Sequence, residues 1–424
     1  MKHTLVILAT AVVASGGLAR AENWPAWRGG GGNGTVEDQG APTSLSMDKN
    51  LKWKVKLPGR GCSTPIVWDG QIVVTMPIGD EDGVVSYDWS GKELWRATLG
   101  PLVPGRGQRV GSAANSSPVT DGEHVFAYFK SGNLAALTMD GKVVWKINLI
   151  EKYGKDYLWW DQGTSPILAG GNLVVAVMQS EGETFLLSVD KKTGKEVWRT
   201  DRKYETGAES GDAYTTPHVV ELDGVETIVT WGADHVTGHD AKNGKLLWEV
   251  GDFNPTKMKA WRVIASAAVT DGVAVVPFKR GDAMAGIRLG GKGDMTQSAW
   301  LWRKDGFGSD AATPAARDGK AIVLKDSGRE RGQVMFLDVK SGREIWKEEL
   351  PKSAKIYYAS PVVSGTTLYL AREDGTIFSG TVTAKGLENL VESRVGETVI
   401  ATPVALNGCL LVRGDQHLFC FERP

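Results

Sequence analysis

Stretches rich in aromatic, arginine and aspartate side chains recur along the chain, each just ahead of a Ser/Thr-Pro dipeptide or a variant of one. They supply Arg60, Asn115, Trp159-Trp160-Asp161, Asp212 with Tyr214, Trp261-Arg262, Asp310 and Tyr357-Tyr358. Arg106 and Arg109 lie in a glycine-rich stretch before the second of these dipeptides. Rings provide stacking faces, an arginine grips a carboxylate, and an aspartate orients hydroxyls or acts as a base. In one pocket these types suit a planar or sugar-like ligand. We take Arg60, Asn115, Trp160, Asp161, Asp212, Tyr214, Trp261, Arg262, Asp310 and Tyr358 as candidate ligand-binding residues. The competing reading is that they close loops against one another.

Other spacings carry less chemistry. His235 and His239 fall on one face of an expected strand, but no further ligand types stand near them, so a zinc site is not expected. Gly29 to Gly32 and Gly105-Arg106-Gly107 lack the strand-loop-helix setting of a phosphate cradle. No Gly-x-Ser-x-Gly elbow occurs. Three cysteines are too few for a disulfide scaffold. Cys409 and Cys420 flank a turn near Gly414-Asp415, which leaves two readings open, a cross-strand disulfide or two buried thiols. Forty-nine basic residues against 50 acidic ones leave no global field to recruit nucleic acid.

The elements that must position the candidates are written as a repeat. A glycine turn followed by tryptophan gives SGKELW to Trp95, DGKVVW to Trp145, TGKEVW to Trp198, NGKLLW to Trp248 and SGREIW to Trp346, with Trp53 and Trp302 as divergent copies. Successive tryptophans are 42, 50, 53, 50, 54 and 44 residues apart, the period of a four-stranded propeller blade. Small polar residues and proline open the repeats at Pro65, Pro118, Pro166, Pro217, Pro314, Pro361 and Pro403, and ASAAV around Ala267 makes an eighth start. Proline is tolerated at a strand's first residue, where no ladder bond is lost. After Pro403 the chain has room for only two more strands, whereas Leu51 to Leu57 is a last strand with no blade ahead of it. Pairing the two closes the ring and removes both sheet edges. The expectation is an all-β chain, an eight-bladed β-propeller of four-stranded antiparallel blades. The candidate residues then converge on the funnel face, where the innermost strands begin.

The Gly-Lys-x-x-Trp turn with its upstream Ser/Thr-Pro start resembles the pyrroloquinoline quinone (PQQ)-type propeller repeat, over roughly residues 50–424. Trp24-Pro25-x-Trp27-Arg28-Gly29 and Gly290-Gly291-Lys292-Gly293-Asp294 resemble a subgroup of such proteins. The resemblance implies one of two functions. The first, a BamB-like scaffold branch, implies a non-catalytic binding module for an envelope protein partner or a carbohydrate-like ligand, with no cofactor. The second implies a PQQ-dependent alcohol or sugar dehydrogenase, with calcium, an adjacent cysteine pair and a catalytic aspartate. No adjacent cysteine pair and no Cys-x-x-Cys-His is present, which favours the binding module.

Lys2, the apolar run Thr4 to Ala14 and Ala19-Arg20-Ala21 read as a secretory signal cleaved after Ala21, too short to span a membrane. The organisation is therefore a signal peptide at 1–21, an extension at 22–50 and the propeller at 51–424. A periplasmic or secreted monomer is expected. Trp24 and Trp27 are expected to pin the extension to the propeller's side or base, since two exposed indoles would invite aggregation.

Overall fold

The computed structural model describes residues 23–37, 40–106 and 110–423. The expected cleavage after Ala21 and the side chain of Arg109 lie outside them. Eight antiparallel sheets form the chain, each one blade whose strands run A to D from the channel outward. Blade 1 comprises Ile66–Trp68, Gln71–Ile78, Glu81–Tyr87 and Glu93–Pro101. Blade 8 takes Val404–Leu406, Cys409–Arg413 and His417–Glu422 from the C-terminus and Leu51–Lys56 from near the N-terminus. Trp53 stands opposite Cys420 and Val55 opposite Leu418, so the ring closes as its two ends require. The cores lie between blades: Ile66, Val73 and Val84 of blade 1, for example, pack on Val125, Ala127 and Leu137 of blade 2.

Three local features make the repeat. Each of the seven tryptophans follows a β-bulge, which re-aims the side chain out of the ladder and toward the next blade. Six of the indoles donate Nε1 to a carbonyl of that blade, among them Trp53 to Trp89 (2.8 Å), Trp95 to Met139 (2.8 Å) and Trp145 to Lys191 (2.9 Å). The glycine of the next blade's turn then lies flat on the ring. A Cβ on Gly244 would sit 2.4 Å from Trp198, and one on Gly141 would sit 2.6 Å from Trp95. Both glycines have positive φ as well, so turn geometry and ring contact select the same residue. Glycine and tryptophan recur together because five turn glycines, Gly91, Gly141, Gly194, Gly244 and Gly342, seat the previous blade's tryptophan.

Trp248 is the exception among the indole bonds. Blade 5 carries an insertion ahead of its last strand, Trp300–Asp305, and the Gly293–Asp294 bridge of that insertion pairs in parallel with Leu246–Val250 of blade 4. This places the Gly290 to Asp294 motif as a strap on the outer edge of blade 4.

The extension as far as Val36 runs through the base of the channel against the inner strands. Beyond it Ala41, Thr43 and Leu45 pass outward over blade 7, bonded in turn to Tyr369, Ser379 and Ser393 of its second, third and last strands. Trp24 exchanges two backbone bonds of 2.8 Å with Val67 of blade 1 and is 1% exposed. Arg28 is fully buried and donates to the carbonyls of Pro361 (2.9 Å) and Pro314 (2.5 Å), tying blades 7 and 6. Asn33 bonds both backbone groups of Val269 in blade 5, and Thr35–Val36 pairs in parallel with Val363 and Ser364 of blade 7. No helix among the described residues is long and apolar enough to cross a membrane.

The histidine pair is structural. His235 stacks on Tyr204 with ring centroids 3.7 Å apart, and His239 is buried with both ring nitrogens bonded, to Gly244 and to Thr237. Burial pushes the His239 pKa down to about 4. Cys409 stands opposite Glu422, and Cys420 opposite Leu411, so the two thiols face each other only along a diagonal. The two thiols lie within hydrogen-bond reach of each other without a bond joining them. Both are free and buried.

Candidate funnel-face site

The serine or threonine ahead of each proline builds the wall of the site. The amide of Thr64 donates to the Ser117 hydroxyl (2.9 Å), Ser117 to Ser165 (3.0 Å) and Ser165 to Thr216 (3.0 Å). The chain of bonds continues through Ser266, Thr313 and Ser360 to Thr402. Seven links thus join equivalent positions of all eight blades around the channel. Sequence reasoning used these residues as strand markers and missed them as site residues. Their recurrence at a place where only proline's tolerance seemed at stake was the available signal.

Inside this girdle lies a cavity of about 280 Å³. Seven candidates line it: Asn115, Trp160, Asp161, Tyr214, Arg262, Asp310 and Tyr358. Trp27 from the extension also lines the smaller cavity on the base side, so it forms the floor. Cys62 and Ile400 were not among the candidates and line it too.

Three candidates lie elsewhere. Arg60 bridges blades 1 and 8, donating to Asp415 (3.1 Å) and to the Gly111 carbonyl (3.0 Å). Asp212 is buried and accepts from the amides of Trp159 (2.9 Å) and Ser180 (2.7 Å), bracing two loops. Trp261 is 4% exposed and packs near Phe278 in the core between blades 4 and 5. These three side chains contact neighbouring loops or the core and do not line the cavity.

The charges that do line the cavity are committed. Arg262 makes a two-pronged ion pair with Asp310 and lies over the Trp160 ring at 5.9 Å. Asp161 pairs with buried Lys130 and accepts the Arg106 amide at 3.0 Å. Asn115 Oδ1 accepts from Ser112 (2.7 Å), and the Trp160 amide donates to the Tyr214 hydroxyl (2.9 Å).

Behind Asp310, buried Asp326 accepts three amides, from Asp310 (2.9 Å), Ala311 (2.6 Å) and Ala312 (2.7 Å). Its pKa is pushed up to about 6, by burial first and by the Asp310 charge second, against the pull of those amides. A raised carboxyl pKa means the folded state holds the proton more tightly than the unfolded one. Its stability contribution is full below about pH 3.8 and is lost as pH rises through about 6. A shift of two pH units is worth about 3 kcal/mol. Asp326→Asn lacks this titration. Urea unfolding at pH 4 and pH 7 should show the difference between variant and wild type moving toward the variant by up to about 3 kcal/mol. A pH-independent difference overturns the assignment.

A family model described as outer membrane protein assembly factor BamB matches residues 31–183 and 140–298, together more than half of the chain. The chain belongs to that family. Curated relatives include the outer membrane protein assembly factor BamB of Burkholderia pseudomallei, 25% identical over 358 residues, covering 82% of this chain and 80% of the relative. The Salmonella typhimurium protein of the same name is 25% identical over 320 residues, 72% of each chain. Among solved structures, BamB from Moraxella catarrhalis superposes with a TM-score of 0.61 at 14% identity, covering 88% of this chain and 97% of that one. A quinohemoprotein alcohol dehydrogenase from Comamonas testosteroni gives 0.67 at 14% identity, covering 94% of this chain and 80% of its own. At such identities the structural likenesses show the shared propeller and no shared activity.

The BamB-family cavity does not fit the quinone and calcium of the dehydrogenase reading. PQQ carries three carboxylates, and the one lining arginine among the described residues is already held by Asp310. Both lining carboxylates are likewise paired, which leaves none uncommitted for a divalent cation.

Proposed function

We propose that this BamB-family propeller is an exported envelope scaffold that holds a partner protein on its funnel face. The observation that carries this reading is the apolar rim. Trp159 is 63% exposed, and Val103, Tyr157 and Met258 are exposed on the loops that open the same face. The other exposed large apolar residues are Met47 and residues of the blades' outer strands, apart from Val225 on a strand B. A bare indole held in place through its own amide by Asp212 is a pre-organised anchor of the kind that dominates protein interfaces. The names of the relatives, assembly factors of outer membrane proteins, support an envelope setting.

The test is site-specific photo-crosslinking in cells. A crosslinker in place of Trp159 should yield one discrete adduct, while one in place of Asp318, in a turn at the base, should yield none. Trp159→Ser with Met258→Ser should abolish partner capture yet shift stability by less than about 0.5 kcal/mol, because both side chains are exposed. Adducts at Asp318 alone would place the partner on the other end.

A further inference from the structure

We infer that the funnel cavity receives the end of a neutral glycan chain, with one or two sugar rings against Trp160 and within the serine-threonine girdle. The inference rests on the funnel face being the binding face, and it adds a second, small ligand beneath the docked protein.

Charge excludes the alternatives first. With Arg262 held by Asp310 and Asp161 held by Lys130, an anionic or cationic ligand would have to break a buried or half-buried ion pair to find a counter-charge among the described lining residues. A neutral ligand meets no such barrier.

The girdle then selects for hydroxyls. Ser117, Ser165, Thr216, Ser360 and Thr402 line the cavity, and each accepts a backbone amide through its hydroxyl oxygen. Each therefore keeps a hydroxyl proton to donate. Among the described residues those protons have no acceptor, and Asn115 Nδ2 has none either. Such a ring of donors beside aromatic walls matches a polyol, whose oxygens accept and whose C–H faces stack.

Shape sets the length. Trp27 and the extension fill the base of the channel, so the funnel is a dead end and no chain can thread it. The volume of about 280 Å³ lies near the lower end of ligand cavities (~300–1,000 Å³), room for about one or two rings. A terminus fits, and a continuous strand does not.

Calorimetry on the purified full chain tests this with four probes: a neutral glucose tetrasaccharide, an N-acetylglucosamine tetrasaccharide, PQQ as a planar tricarboxylate, and a decapeptide ending in phenylalanine. One of the saccharides should bind at one site per chain, and PQQ and the peptide should not. Trp160→Ala should weaken saccharide binding by about tenfold, and Asn115→Leu, at a half-buried position outside the girdle, should weaken it without a folding defect. Saturating saccharide should also slow alkylation of Cys62, the cysteine that lines the cavity. Binding of PQQ or of the peptide in place of saccharide overturns the inference, as does saccharide binding that leaves Cys62 alkylation unchanged. If no saccharide binds while the Trp159 crosslink persists, this inference falls and the docking reading stands.

Discussion

Gly244→Ala should destabilise the propeller by about 3 kcal/mol. The added methyl would sit 2.4 Å from Trp198 of the preceding blade and 2.6 Å from Thr200 Oγ1. Trp198 cannot retreat, because its ring is 8% exposed and its Nε1 is bonded to the Ala241 carbonyl at 3.2 Å. The positive φ of +73° adds strain that alanine bears and glycine does not. Gly272→Ala separates the two contributions. Its φ is +71° and no atom lies within 4 Å of the added methyl, so only the backbone term remains, about 1 kcal/mol. Urea unfolding of both variants checks this, and equal losses would show that the contact with tryptophan contributes nothing.

Arg262→Ala should cost about 2–3 kcal/mol at pH 7, and the loss should shrink at pH 5. Without the guanidinium, Asp310 is left 8% exposed with a charge and no partner, next to the buried Asp326. Two carboxyls that close cannot both stay ionised cheaply, so acid relieves the repulsion by protonating one. Arg262→Ala combined with Asp310→Ala should recover most of the stability, since the penalty comes from the orphaned charge. If the double variant is less stable than the single, the pair stabilises the fold through packing instead. The discount from a fully buried pair reflects the Arg262 side chain, which is 20% exposed to water.

The blades were legible because their rules are local. A glycine turn, a bulge and a tryptophan occupy a short stretch, and period and order survive in the linear chain. Closure was legible too, since Leu51 to Leu57 lacked a blade and the last blade lacked a strand. Seven of the ten residues singled out in the sequence line the funnel cavity, because every strand A must begin on one face.

Which of those side chains remain available to a ligand was decided only in three dimensions. Asp212 and Trp261 carry the same residue types as Asp310 and Trp160, yet the first braces two loops and the second fills the core between two blades. Arg60 spans to Asp415, a partner 355 residues away whose position depends on ring closure. The serine-threonine girdle has the same origin. Each hydroxyl meets an amide one blade away, and no local pattern reports a contact made by curvature. Composition and period determined that this chain is a propeller. The pairing of charges across blades, a property of the closed ring, decided that its cavity is neutral and rich in hydroxyls.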